Sequence, residues 1–100
     1  MVGRMSLQFI GDYGIFLPGR DAVGCAALDQ NRLVRWYTTR SALEKLGGPG
    51  ARDVSDLVNR FHQNRQLLER AADLKYRKGK VERDGSIRIE LADLDGIAGL

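Results

Sequence analysis

The stretch that decides the fold is VSDLVNRFHQNRQLLERAADLKYRK, residues 54–78. Its apolar side chains recur every three or four residues, which places them along one side of an α-helix. These residues are Val54, Leu57, Val58, Phe61, Leu68, Ala71 and Ala72. Asp53 precedes them as the expected N-cap, and Gly79 follows as the expected stop. The pattern predicts one long amphipathic helix.

Four shorter segments around this helix have the pattern of β-strands. They are residues 7–10, 22–28, 32–38 and 86–91. The last segment is the clearest, because Ile87, Ile89 and Leu91 alternate with charged residues. Gly11 and Asp12 are expected to end the first strand.

The second and third strands are predicted to form a hairpin. The residues between them, 29–31, fit a three-residue turn whose last residue, Asn31, adopts the left-handed conformation. In the third strand, Val34 and Trp36 are expected to face the core, while the side that carries Leu33 and Tyr37 is expected to be half solvated.

These elements predict an α+β domain. A small antiparallel sheet of about four strands carries one short helix and the long amphipathic helix on one face. Thr39 or Ser41 can cap the short helix, which is expected to end at Gly47. Helices on one side leave the other face of the sheet exposed or paired with a second copy of the chain.

Length and composition limit the class of protein. The chain has 100 residues, 43% of them hydrophobic, and a net charge of +3, which fits one small folded domain and excludes a strongly polycationic binder. No apolar run approaches the ~20 residues of a membrane span. The single cysteine, Cys25, predicts a cytoplasmic protein without disulfides. We expect residues 1–5 to be a short extension, 6–92 the domain and 93–100 a frayed tail.

An ordered set of short motifs resembles a known family. The motifs are Ser6-Leu7-Gln8-Phe9, Ala22-Val23, Arg40-Ser41-Ala42-Leu43, Phe61-His62-Gln63-Asn64-Arg65, Leu68-Glu69, Ala72, Lys75-Tyr76 and Gly85-Ser86. Together they resemble the bacterial domain family of unknown function numbered 1488, over residues 5–93. The resemblance implies a compact α+β fold. It implies no activity, and it therefore assigns no catalytic residue.

Arg65 is the unusual residue of the long helix, because its position falls within the apolar stripe, with Asn64 on the flank. A buried guanidinium is costly unless a carboxylate or several carbonyls satisfy it. One interpretation is that Asn64 and Arg65 form a site for an anion or for a partner's carboxylate. In that case we expect Arg65 to pair with a carboxylate from the sheet or from a second subunit. The alternative is an internal ion pair, or a side chain whose stem covers the edge of the core.

No enzyme chemistry is indicated by the remaining candidates. Cys25 and His62 could form a thiol–imidazole pair only if the fold brought them together, and small neighbours favour a packed Cys25. One histidine and one cysteine predict no metal site. The glycines at residues 47–50 match neither phosphate-binding nor dinucleotide-binding spacing, so no cofactor is predicted.

Basic residues concentrate in the second half of the chain. Residues 54–83 contain eight basic and four acidic side chains. A candidate nucleic-acid patch within this stretch comprises Arg70, Arg77, Lys78, Lys80 and Arg83. Few aromatic residues accompany the patch, and Glu69 and Asp73 interrupt it, which favours a solvated helix face instead.

The sequence therefore predicts a non-catalytic cytoplasmic domain that acts through protein contacts, with a homodimer or another protein as partner. The alternative is a weak nucleic-acid-binding or regulatory protein that uses the basic face of the long helix. Membrane binding is not expected, because the apolar stripe of the helix is needed for the core.

Overall fold

A computed structural model describes residues 6–48 and 50–95. The elements follow one another along the chain as β1 (Gln8–Leu17), β2 (Ala22–Asp29), β3 (Arg32–Thr39), α1 (Arg40–Gly47), α2 (Val54–Gln63), α3 (Arg65–Arg77), β4 (Ile87–Ile89) and α4 (Leu91–Leu94). The described residues thus combine one sheet with four helices, and the predicted α+β class is confirmed.

The sheet has the strand order β1-β2-β3-β4. Its first two pairings are antiparallel, but β4 runs parallel to β3, with Ile87 opposite Trp36 and Ile89 opposite Thr38. The expected antiparallel sheet is therefore wrong for its last pair. The reason is the connection between the two strands. Three helices separate β3 from β4 and return the chain to the end of the sheet at which β3 begins, as a parallel neighbour requires.

Strand β1 is longer than the predicted residues 7–10. It continues through Gly11, whose φ of +91° lies in the region that favours glycine. Ile10 pairs with Ala26 and Ile15 pairs with Gly24. Four residues of β1, 11–14, therefore lie between these pairs, opposite a single residue of β2. Gly11 is therefore part of an irregularity inside the strand rather than its end.

The β2–β3 turn is tighter than the predicted three-residue loop. Asp29 still pairs with Arg32, which leaves only Gln30 and Asn31 in the turn. The residue with positive φ is Gln30, at +58°, and not Asn31. Of the two-residue hairpin turns, type II′ has positive φ at its first central residue only, which fits Gln30.

The predicted long helix is broken at Asn64 into α2 and α3. Asn64 has φ −114° and ψ 19°, and its side-chain Nδ2 donates to the carbonyl of Arg60 at 2.8 Å. Such a local side-chain bond competes with the helical pattern of the backbone. The break lets α2 pack on β1 and β2 while α3 packs on β4.

The predicted ends of the helices are confirmed. Thr39 caps α1 by accepting from the backbone N–H of Ala42, and Asp53 caps α2 by accepting from that of Asp56 at 2.9 Å. Gly79 follows α3 with a φ of +73°, the conformation that commonly ends a helix.

The hydrophobic core lies between the helices and one face of the sheet. Val34 and Trp36 point into it, as predicted. The Trp36 ring packs against Phe61 of α2, with ring centroids 5.2 Å apart, and meets the edge of Phe9 at 5.3 Å. The apolar stripe of α2 and α3 supplies Leu57, Phe61, Leu68, Ala71 and Ala72 to the same cluster. Val54 remains exposed.

The end of the described chain differs from the predicted boundary at residue 92. A capping box of Glu90 and Asp93 starts α4, which turns Leu91 out of the strand and buries Leu94 completely in the core. Lys75 forms an ion pair with Asp93 at 2.9 Å. The predicted extension, residues 1–5, and residues 96–100 of the predicted tail lie outside the described residues.

Candidate functional site

The sheet face opposite the helices forms a groove of about 1040 Å³. We call this surface the open face. Its side chains come from the three long strands and from the loop before β4. The residues used below are Ile10, Ile15, Leu17, Arg20, Gly24, Ala26, Arg32, Leu33, Arg35, Tyr37, Arg83 and Asp84.

The groove follows β2 because the open-face residues of that strand are small. Ala26 lies between Ile10 of β1 and Arg35 of β3, so larger side chains rise on both sides of it. At Gly24 the neighbouring groups approach closely. A Cβ built there would lie 2.9 Å from Leu17 Cδ1 and 3.0 Å from the backbone oxygen of Trp36, so a side chain at this position would crowd both.

Tyr37 is the buried part of the open face. Arg20 covers its ring, with Cζ 4.6 Å from the ring centroid, and leaves Tyr37 only 3% exposed. The expectation of a half-solvated side therefore holds for Leu33, which is 53% exposed, and is wrong for Tyr37. The β2–β3 pattern could not show this, because Arg20 comes from the preceding turn.

Asp84 holds Arg20 over the tyrosine. Its Oδ2 lies 2.8 Å from Arg20 Nη2, and its Oδ1 accepts from the hydroxyl of Ser86 at 2.5 Å. The Ser86 hydroxyl and the Arg20 guanidinium lower the pKa of the Asp84 carboxyl well below its usual range. The same ion pair, with Tyr37 beside it, raises the pKa of Arg20. This end of the groove is thus a fixed, internally neutralised cluster.

Two further arginines, Arg35 and Arg83, give the open face a positive charge. Both are exposed and form no ion pair among the described residues. Arg32 borders the groove, but its guanidinium donates to the hydroxyl of Tyr76 on α3 at 3.4 Å and therefore lies on the side of the helices. Asp84 is the acidic residue of the described lining, and Arg20 already neutralises it. The open face can therefore attract anionic groups.

Arg65 lies on the other side of the sheet, against β1 and β2. Its Nε is 2.8 Å from Glu69 on its own helix, and its Nη2 donates to the Ile10 carbonyl at 3.3 Å. Burial lowers the pKa of Arg65, but the Glu69 carboxylate and the Cys25 sulfur together raise it by more, so the net shift is upward. The carboxylate that Arg65 contacts is thus its helix neighbour's and not one from the sheet. That Asn64 and Arg65 form a site for an anion or for a partner's carboxylate stays a prediction.

Cys25 and His62 both hold the irregular part of β1. The thiol of Cys25 donates to the Ile10 carbonyl at 3.2 Å, and His62 Nε2 accepts from the backbone N–H of Gly14 at 3.1 Å. No hydrogen bond joins the thiol and the imidazole of this pair. Over residues 6–48 and 50–95, no three histidine, cysteine or acidic side chains are grouped to hold a metal ion.

The residues of the candidate nucleic-acid patch do not form one surface. Arg70 and Arg77 lie on α3 and Lys78 is its C-cap, all on the helical layer, whereas Arg83 lines the open face of the sheet. Arg77 Nε lies 3.0 Å from Asp73, whose carboxylate is buried. Lys80 is exposed in the loop between these two layers.

Sequence reasoning missed most of the open face. Ile15 was beyond the predicted end of β1, and Arg20 stands in a turn that no periodicity describes. The usable signal was the third strand, where Leu33 and Arg35 alternate with the core residues Val34 and Trp36.

Comparisons with known proteins place the fold in one family. Residues 7–89 match the family described as protein of unknown function (DUF1488). A crystal structure of a protein of unknown function from the same family, from Shewanella loihica PV-4, is similar with a TM-score of 0.78 and 19% identity, over 86% of this chain and 93% of that one. No curated protein matches the chain. None of the described helices is long and apolar enough to cross a membrane.

Proposed function

The chain belongs to DUF1488, a family of proteins of unknown function, and from this premise we propose that it is a non-catalytic interaction domain whose open face binds another protein chain. Membership supplies a fold and no activity, so the proposal depends on the surface itself. The proposed location is the cytoplasm, which the unpaired thiol of Cys25 supports.

The observation that carries the proposal is the exposure of large apolar side chains on the open face. Ile15 is 67% exposed and Leu33 is 53% exposed, although each lies on a strand within the sheet. All the helices of the described residues that pack on the sheet contribute to the core on the opposite face. Contiguous apolar surface with a polar rim is typical of protein interaction sites.

The contacts of the candidate catalytic residues support a non-catalytic function. A thiol nucleophile needs a base within hydrogen-bonding distance, and Cys25 instead donates to a backbone carbonyl. The acceptor nitrogen of His62 is occupied by Gly14. Both groups therefore stabilise the irregular part of β1.

Site-specific photo-crosslinking in cells tests the proposal. A photoreactive phenylalanine analogue replaces Leu33 in one variant and Val54 in another. Val54 is the matched control, because it is an apolar residue 45% exposed on α2, away from the open face. We expect a discrete protein adduct from position 33 and none from position 54. A self-adduct identifies a homodimer, and a heterologous adduct identifies another protein.

Three results contradict the proposal. The first is an equal adduct pattern at positions 33 and 54, which would indicate non-specific collision. The second is an adduct at position 33 that nuclease removes, because it would show that the open face binds nucleic acid. Absence of any adduct at position 33 also counts against a protein partner.

A second candidate function is weak nucleic-acid binding through the basic face of α3. The acidic residues that interrupt the basic row are turned inward: Glu69 pairs with Arg65, and Asp73 is only 1% exposed. Arg70 and Lys78 are consequently exposed without an acidic neighbour from that row. Phosphate contacts depend on such unneutralised cations.

A retardation assay across salt concentrations tests this second function. Binding through α3 predicts a steep loss of affinity with salt, and a smaller salt slope for Arg70→Glu and Lys78→Glu. Arg35→Glu is the matched control on the other side of the sheet. A salt-independent shift, or an equal effect of the control, would contradict the involvement of α3.

A further inference from the structure

The residues of the open face indicate which kind of protein segment it binds. This inference rests on the proposed interaction function. We propose that it binds an acidic peptide segment of a partner protein, one in which apolar side chains are interspersed with carboxylates. The apolar side chains contact Ile15 and Leu33, and the carboxylates bind Arg35 and Arg83.

The charge of the surface is the first argument. Arg20, Arg35 and Arg83 line the groove against one aspartate among the described residues, and that aspartate is engaged by Arg20 and Ser86. The excess charge is therefore positive and is available to a ligand. An arginine can bind a carboxylate through two parallel hydrogen bonds, which makes an acidic side chain its natural partner.

The position of Arg35 is the second argument. It stands on β3 directly opposite Ala26, so no large neighbour from β2 shields its guanidinium. Leu33 lies two residues before it on the same face of β3. An apolar contact and a cation are thus separated by about 7 Å, the spacing of same-side residues in an extended peptide.

The position of Ile15 extends this pattern across the groove. Ile15 is in register with Gly24 and Tyr37, one step further along the sheet than the Ala26–Arg35 row. Leu33 therefore precedes the Ala26–Arg35 row and Ile15 follows it, so a segment that crosses the groove from one to the other passes beside Arg35. A bound segment must carry at least one apolar residue on each side of an acidic one.

The open face of a second copy of this chain is not complementary in charge to this surface. Two open faces packed together would enclose six arginines, namely Arg20, Arg35 and Arg83 of each copy, and two aspartates of the described lining. Both aspartates would already be paired with Arg20 in their own chain. The remaining cations would face each other with reduced hydration, which is strongly unfavourable.

Single-stranded nucleic acid fits the apolar part poorly. Sheet surfaces that bind single strands stack the bases on exposed aromatic rings. The Tyr37 ring is covered by Arg20, and the exposed Tyr13 ring, which also lines the groove, is in edge contact with His62 at 5.4 Å. The accessible apolar groups between them are aliphatic, and these pack against the apolar side chains of a peptide.

Selection from a random peptide library displayed on phage tests the inference. We expect the wild-type chain to enrich sequences that combine Asp or Glu with large apolar residues. The best-enriched peptide is then titrated by fluorescence anisotropy against Arg35→Glu, Arg83→Glu and the control Arg70→Glu. Each open-face variant should bind at least about tenfold more weakly, and the control should bind as the wild type does.

Each alternative occupant has its own outcome. Enrichment without acidic residues, no enrichment, or equal loss of affinity in Arg70→Glu overturns the inference. A concentration-dependent dimer in sedimentation that Leu33→Glu abolishes would assign the face to a second copy. Binding of an oligothymidine that Arg35→Glu abolishes would assign it to nucleic acid. Arg35→Gln removes the charge without reversing it, and replaces Arg35→Glu should that variant fail to fold.

The crosslinking experiment separates the inference from the proposed function. A heterologous protein adduct at position 33 together with a selection that shows no acidic preference overturns the partner chemistry and leaves the interaction function standing. Absence of the adduct overturns the interaction function itself.

Discussion

The two faces of the sheet are built from the same strands but have opposite compositions. On the core face, Trp36 and Ile87 are neighbours in register, and both are almost completely buried. On the open face, Ala26 and Arg35 are neighbours in register, and the arginine is exposed. The difference means that one face stabilises the fold, whereas the other keeps its side chains exposed, which is why the proposed function assigns that face to a partner.

The largest effect is expected from Phe61, at the centre of the core face. Phe61→Ala should lower the free energy of unfolding by about 3–5 kcal/mol, because the fully buried ring leaves a cavity beside Trp36. Leu33→Ala on the open face should change it by less than about 0.5 kcal/mol. Urea denaturation followed by circular dichroism measures both, and equal losses would refute the division between the faces.

A smaller effect is expected from Asp73, which connects α3 to the start of β1. Its buried Oδ1 accepts from the backbone N–H of Leu7 at 2.9 Å. Asp73→Ala leaves that donor without a partner and should cost about 1–3 kcal/mol of unfolding free energy in the same assay. Asp73→Asn keeps an acceptor and should cost less; an equal cost for the two variants would argue against the hydrogen bond.

A substitution of Arg20 tests whether the open face contributes to the stability of the fold. Arg20→Ala removes the cation above the Tyr37 ring and should lower the stability by less than Asp73→Ala does in the same assay. It should also make Tyr37 reactive to tetranitromethane, because the arginine is what shields the ring. Arg35→Ala is the control and should alter neither property. Unchanged reactivity in Arg20→Ala would mean that other groups cover Tyr37.

The smallest effect is expected from Asp84 and depends on pH. Its pKa is lowered in the folded chain, so the folded state binds this proton less readily than the unfolded state. The resulting stabilisation is complete above the unfolded carboxyl pKa, about 3.9, and decreases as the pH falls below it. Asp84→Asn should therefore show a shallower loss of stability between about pH 5 and pH 2.

The chemical cause of that pH dependence can be separated as well. Ser86→Ala should reduce the acid dependence more than Arg20→Gln does, because the serine hydroxyl is the stronger influence on the Asp84 pKa. Thermal unfolding at several pH values measures both variants. The reverse order would show that the ion pair, and not the hydrogen bond, holds the pKa down.

The core face was largely predictable because its signal is local. The spacing of Leu57, Phe61 and Leu68 repeats within one helical stretch, and the strand alternation distinguishes Trp36 from Leu33. Helix caps are equally local, which is why Thr39 and Asp53 were correctly identified.

The open face was only partly predictable because it depends on contacts between distant residues. Arg20 covers Tyr37 because Asp84, in a loop 64 residues away, orients it. The parallel direction of β4 depends on where three helices return the chain. At Asn64, a side-chain amide interrupts a stripe whose spacing alone predicts one continuous helix.

The parallel pairing of β3 with β4 also has a consequence for how the chain is made. Strands β1, β2 and β3 are neighbours in sequence and can pair as soon as they leave the ribosome, whereas Trp36 waits for Ile87. Until then β3 is an unpaired edge with a large aromatic residue, the kind of edge that joins to other chains. Synthesis that stops between residues 40 and 86 therefore releases an aggregation-prone fragment.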